Sequence, residues 1–167
     1  MSGYSAFESP ARSRSAKGQL HAVLVQAEGV GVLLIGDSGV GKTECAIELV
    51  KRGHSLIADD AVQVFFDGEQ FVGRAPEIIR SVVHRRGLGI TDIAQIVGRS
   101  VIRDECSIDL CIEISDAVAK EPPFRISNFF EERVVFHRIV PGKPAIAADS
   151  VESIVKQHIK RSDYSLV

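Results

Sequence analysis

The eight residues Gly36-Asp37-Ser38-Gly39-Val40-Gly41-Lys42-Thr43 stand between an apolar run, Val32-Leu33-Leu34-Ile35, and a helix-period pattern that begins at Lys42. The pattern Gly-x-x-x-x-Gly-Lys-Ser/Thr has physical meaning only where a buried strand turns into a helix, so it commits the chain to a strand–loop–helix unit. Glycines let the backbone turn sharply and approach an anion, while successive N–H groups and the helix N-terminus aim partial positive charge inward. In that setting Lys42 brings a full charge to the outer phosphates, and the Thr43 hydroxyl is a ligand for Mg2+. Gly36, Asp37, Ser38, Gly39, Val40, Gly41, Lys42 and Thr43 are thus the expected cradle of a nucleotide or polyphosphate. A ligand-free glycine turn would account for the glycines but not for Lys-Thr at the helix start.

At 167 residues the chain is most simply one domain that buries most of the surface its unfolded form exposes. A net charge of -2, from 20 basic and 22 acidic side chains, provides no overall pull toward nucleic acid or acidic membranes. Cys45, Cys106 and Cys111 have no CxxC spacing and an odd count, which indicates neither a zinc site nor a disulfide framework and fits a reducing cytoplasm. No apolar run approaches the roughly 20 residues of a membrane span, and residues 1–18 lack the apolar centre of a secretory signal. The expectation is a cytoplasmic protein with no nucleic-acid or membrane partner.

Residues 1–18, rich in Ser, Gly, Ala and Arg, lack periodicity and read as a mobile tail, leaving 19–167 as the domain. His21 to Gln26 and Val32 to Ile35 are β-type runs joined by a turn at Glu28-Gly29, a hairpin leading into the loop. His21, at the start of the first run, is on these grounds an ordinary strand-end residue. After the loop, Ala46, Ile47, Leu49 and Val50 form a helical apolar face; Glu48 is spaced to pair with Arg52, and Gly53 is placed to stop the helix. Ser55 to Ala58 is a short buried strand ending in Asp59-Asp60. Carboxylates just past a strand end beside a phosphate loop hold Mg2+ or act as a base; the alternative is a surface turn.

Ala61 to Phe66 and Gln70 to Val72 flank Asp67-Gly68, a hairpin signal. Ala75-Pro76 opens a helix expected through Val83, followed by His84-Arg85-Arg86-Gly87-Leu88-Gly89-Ile90, which suits either a phosphate-binding segment or a solvated turn. Ile108, Leu110, Ile112 and Ile114 alternate with polar residues and Cys111 as a half-buried strand. Val134 to Val140 is a further strand, Pro141 to Pro144 a basic turn, and the last element a helix with Asp149 and Glu152 at capping-box spacing. Hairpins mixed with helices around one phosphate loop predict an α/β domain with a mixed sheet and flanking helices.

The loop at 36–43, the run Glu48 to His54, the pair Asp59-Asp60 and the segment Arg86-Gly87-Leu88-Gly89-Ile90 occur in this order. Together they resemble the catalytic domain of HPr kinase/phosphorylase, the bacterial enzyme that adds phosphate to, and removes it from, a serine of the phosphocarrier protein HPr. The resemblance runs from about His21 to Pro141-Gly142-Lys143. It implies the nucleotide-binding fold shared by HPr kinase and PEP carboxykinase, and a short form without the family's N-terminal domain. It also implies ATP and Mg2+ as cofactors, inorganic phosphate and pyrophosphate in the reverse reaction, HPr or a similar carrier as partner, and a homo-hexamer.

By the same resemblance His21 becomes an active-site residue, Lys42 grips phosphate, Asp59 is the acid/base, and Asp60 supports the metal bound by Thr43. Arg86 contacts phosphate, Arg125 matches a further active-site arginine, and Lys143 stands where the family's dephosphorylation segment has Arg. His84 departs from the pattern: it occupies the position of a glutamate that ligates Mg2+, and imidazole is a poor substitute for a hard oxygen ligand. The other readings are a P-loop kinase of another, small-molecule substrate and a nucleotide- or phosphate-sensing module whose metal site has decayed.

Overall fold

A computed structural model of the protein describes residues 13–76, 82–85, 89–92 and 102–165, the two short stretches by their backbone alone. The hairpin expected ahead of the loop is present: β2 (Val23–Ala27) pairs antiparallel with β3 (Val30–Ile35). The loop then leads into α1 (Lys42–Lys51), and β4 (Ser55–Ala58) returns to pair antiparallel with β2. Later in the chain β10 (Leu110–Ile114) and β11 (Val135–Ile139) extend this sheet on the far side of β3, giving the order β11-β10-β3-β2-β4. β10 runs parallel to both β3 and β11, so the sheet is mixed, with β2 reversed between β3 and β4.

Both faces of this sheet are covered. On one face Val23, Val25, Val32, Leu34, Leu110 and Ile112 pack with α1 and with α3 (Pro144–Tyr164). On the other, Leu24, Leu33, Ile35 and Cys111 meet a second sheet. That sheet is built from β1 (Ser15–Leu20), β5 (Val62–Phe66), β6 (Phe71–Arg74) and β9 (Glu105–Ser107), in the order β1-β5-β6-β9 and antiparallel throughout. A short helix, α2 (Phe124–Phe129), closes this second core with Ile126 and the adjoining Phe130, whose ring lies 5.1 Å from that of Phe71 in an edge-to-face arrangement. The sheets approach so closely at Gly31 that a Cβ there would stand 1.5 Å from the Ser107 carbonyl oxygen. The remaining pair, β7 (Val82–Arg85) and β8 (Gly89–Asp92), forms a two-stranded antiparallel ribbon.

Several expectations change. The tail boundary at residue 18 falls inside β1, which starts at Ser15; its residues are nearly all exposed and its register breaks between Ala16 and Gly18, so no apolar alternation marks it. His21 lies in the bend between β1 and β2 rather than in a strand. β10 is not half-buried, because the second sheet covers the face that Cys111 presents. The helix expected from Ala75 does not reach Val83: Val82 and Val83 pair with Asp92 and Thr91 across the ribbon, a setting that suits β-branched side chains, and residues 77–81 lie outside the described residues. The last helix starts at Pro144 with Lys143 as N-cap, proline being preorganised for a first helical position, so Asp149 and Glu152 sit within it and form no capping box.

Candidate active site

The loop between β3 and α1 lies at the C-terminal ends of the parallel strands, where Ile35 and Glu113 are register partners. Gly36, Gly39 and Gly41 have φ of 146°, 81° and 111°, backbone regions that L side chains rarely adopt. At Gly36 the loop also packs tightly, since a Cβ there would lie 2.7 Å from the Ile114 carbonyl oxygen at the end of β10. Gly41 is the N-cap of α1 and offers no side chain to the first-turn N–H groups, leaving them to whatever anion enters the loop.

Lys42 is folded back into this loop. Its side chain is buried, and Nζ donates to the carbonyl oxygens of Gly36 at 2.6 Å and Asp37 at 2.9 Å. Burial pushes its pKa below the ordinary lysine value, while Asp37, Asp59, Asp60 and Glu44 pull the other way. The ammonium is therefore held inside the loop rather than in bulk water.

One residue on, Thr43 Oγ1 donates a 2.9 Å hydrogen bond to Asp59 Oδ1. Asp59 follows the end of β4 and is only 4% exposed. The backbone turns sharply here: the Ala61 N–H donates to the Asp59 carbonyl at 2.8 Å, and Asp60 adopts φ 68°. That turn aims the two carboxylates differently, Asp59 inward toward α1 and Asp60 outward. His21 meets Asp60 from the β1–β2 bend, with Nδ1 at 3.1 Å from the Asp60 carbonyl oxygen and 3.0 Å from Oδ1. Both partners are acceptors, so Nδ1 carries the proton.

Five of the residues singled out from sequence, His21, Lys42, Thr43, Asp59 and Asp60, thus converge from three separate chain segments. Arg125 does not join them through any hydrogen bond or ion pair among the described residues; it is exposed in the first turn of α2. His84 falls in β7 opposite Ile90, described by backbone alone, and Arg86 lies outside the described residues. No group of three His, Cys, Asp or Glu side chains suited to a metal gathers among the described residues. The donors that do approach one another, the Thr43 hydroxyl and the Asp59 carboxylate, are hard oxygens of the kind Mg2+ takes together with phosphate oxygens and water. What no motif marked is the floor of the loop, the Ile114 carbonyl; its only signal was the position of Ile114 at the end of an apolar alternation.

No helix among the described residues is long and apolar enough to cross a membrane. Residues 13–143 match the family model described as HPr Serine kinase C-terminal domain. The chain is 44% identical over 123 residues to the HPr kinase/phosphorylase of Latilactobacillus sakei, covering 73% of this chain and 39% of that protein. It is 45% identical over 113 residues to the HPr kinase/phosphorylase of Mycoplasmopsis pulmonis, covering 67% and 37%. The chain therefore spans about two-fifths of the length of these relatives. In fold it is similar to the Hpr(Ser) kinase/phosphatase structure from Coxiella burnetii, with a TM-score of 0.71 over 88% of this chain and 94% of that one at 24% identity. An α/β architecture with a mixed sheet is common to the two, and with the family match over most of its length this chain belongs to the HPr serine kinase C-terminal domain family.

Proposed function

We propose that the protein is an ATP- and Mg2+-dependent protein serine kinase/phosphorylase that acts in both directions on a serine of HPr or a similar carrier. The observation that carries this reading is the contact of Thr43 with Asp59, which sets a buried carboxylate beside the first turn of α1 and next to the loop that holds Lys42. In this reading residues 36–43 are the phosphate loop of a P-loop fold, and Thr43 with Asp59 and Asp60 supplies the protein oxygens for Mg2+. Bound Mg2+ supplies charge neutralisation on the phosphate oxygens.

The residues divide the work by position. The first-turn N–H groups of α1 and the Lys42 ammonium bind the transferring phosphate and stabilise its equatorial oxygens, so that catalysis rests on placement and electrostatics. Asp59 accepts the proton of the acceptor serine as the serine oxygen bonds to the γ-phosphorus and ADP leaves. In reverse, orthophosphate gives its proton to Asp59 as its oxygen bonds to the phosphoserine phosphorus; pyrophosphate forms, the bond to the serine oxygen breaks, and that oxygen takes the proton from Asp59. His21 restrains Asp60 through the Nδ1–H contact, fixing the turn that directs Asp59 inward. By the family resemblance, Arg86 contacts phosphate and Arg125 is a further active-site arginine.

Two incubations test the proposal: Mg-ATP with HPr, read as phosphoserine, and orthophosphate with phospho-HPr, read as pyrophosphate. Both products are expected, and both disappear in Lys42→Met and Asp59→Asn. ATP binding with neither product would overturn it in favour of a nucleotide-sensing module. Turnover on a hydroxyl metabolite but not on HPr would do so in favour of a small-molecule kinase.

A further inference from the structure

At the opposite end of the β11 strand from the loop, the last turns of α3 and the start of β11 enclose a groove of about 170 Å3. His137 enters it from β11, and Gln157, His158, Arg161, Ser162 and Ser165 line it from α3. Three groups able to carry positive charge therefore share a space into which no carboxylate projects among the described residues. The carboxylates nearest along α3 are committed elsewhere or face away. Glu152 binds His54 and Arg52, Asp149 binds Arg52, and Asp163, two residues from Arg161, points to a different side of the helix.

The polar groups of the groove are set to receive an anion rather than to repel it. A helix C-terminus normally presents unpaired carbonyls with partial negative charge. Here the Ser162 hydroxyl donates to the His158 carbonyl at 3.1 Å and the Ser165 hydroxyl donates to the Arg161 carbonyl at 3.0 Å. The Ser165 N–H also donates to the Arg161 and Ser162 carbonyls, so these last-turn carbonyls are paired, and the groove's His and Arg donors have no carboxylate among its lining residues. Simple complementation of the helix end would explain Arg161, but it gives no reason for a histidine on a neighbouring strand to join the cluster. His137 does so at a cost: burial, and then Arg161 and His158, hold its pKa below the ordinary histidine value. An anion in the groove removes that mutual repulsion.

We propose that the groove between β11 and α3 binds a tetrahedral phosphate dianion, held by Arg161, His158 and His137. The ligand is inorganic phosphate or the terminal phosphate of a small phosphorylated metabolite, which share this chemistry. The position is separate from the phosphate loop: Val135 and Ile139 at the two ends of β11 are roughly 13 Å apart at strand spacing, and the loop lies beyond Ile139.

The test follows the ring-proton resonances of His137 and His158 in the full chain during titration with inorganic phosphate and, separately, with glucose 6-phosphate, at ionic strength held constant with sodium chloride. Saturable shifts are expected in both, with affinity weakened about tenfold in Arg161→Gln, as for loss of one charge-assisted contact. Lys42→Met, which disables the loop, leaves the shifts in place. Tighter binding of glucose 6-phosphate identifies a metabolite source, and equal or weaker binding identifies free phosphate. The proposal is overturned by shifts that chloride reproduces, by shifts lost in Lys42→Met, or by an Arg161→Gln variant that melts lower yet responds to phosphate as the parent does.

Discussion

Thr43, in the first turn of α1, donates its hydroxyl to the buried carboxylate of Asp59, so that the helix following the loop and the end of β4 are joined at the site itself. The contact makes both residues answerable for one function. Thr43→Val keeps the shape of the side chain and removes the hydroxyl. It is expected to cost about 1 kcal/mol of stability and to lower turnover about 100-fold, as for loss of a group that orients a metal or its ligand. Thr43→Ser, which keeps the hydroxyl, stays near parental activity. Paired assays of the two variants at saturating Mg2+ decide it, and equal loss in both would show that the methyl group rather than the hydroxyl matters.

Lys42 separates binding from stability. Its pKa lies below 10.5 because burial disfavours the ammonium, so in the folded state the charge is less favourable than in water. For a lysine depressed in this way the unfolded chain holds the proton more tightly, and stability rises as pH climbs between the folded value and 10.5. Lys42→Met should therefore lose nucleotide affinity by about 100-fold or more, two strong charge-assisted contacts, while the ligand-free protein melts no lower than the parent. Its stability should also lose the rise toward alkaline pH that the parent shows in urea denaturation.

Glycines 36 and 41 both have positive φ, but their surroundings differ. Ala at Gly41 meets nothing within 4 Å and incurs backbone strain alone, about 1–2 kcal/mol. Ala at Gly36 adds contact with the Ile114 carbonyl and with Val40, and is expected to cost about 3 kcal/mol. Urea midpoints of the two variants measure the difference, and similar values would mean that the loop moves away from β10 without cost.

Between α1 and α3, His54 Nε2 lies 2.8 Å from Glu152 Oε1, and Arg52 reaches Glu152 and Asp149. The bond from His54, with Arg52 adding to it and burial opposing, holds the Glu152 carboxyl below its ordinary 4.5. A depressed carboxyl contributes stability that is present above 4.5 and is lost as pH falls through the folded value. Glu152→Gln should lower the urea midpoint at pH 7 and flatten its decline between neutral pH and acid. A variant that keeps the parent's acid dependence would place that dependence on other carboxylates.

The strand, loop and helix around Gly36–Thr43 were legible in the sequence because their signals are local: an apolar run, glycines at turning points, and Lys-Thr at a helix start. The hairpins at Glu28-Gly29 and Asp67-Gly68 were legible for the same reason. α2 was not foreseen, since six residues are too few to show a period and are held by Ile126 and by Phe130 just beyond their end. β1 escaped notice because an exposed strand has no hydrophobic pattern.

His21 shows the division most clearly. Residue-level reading left it a strand-end histidine, and only the family resemblance raised it, because no local pattern ties position 21 to position 60. The pairing of β2 beside β4 brings the bend before one strand to the turn after the other, and there His21 meets Asp60. The sequence by itself determined the loop, the class of fold and the family. Tertiary structure decided which carboxylate faces inward, that Lys42 lies buried, and that the face of β10 bearing Cys111 is closed by a second sheet. The physical reason is that turn and helix signals act over a few residues, whereas burial and charge proximity depend on strands distant in sequence coming to lie side by side.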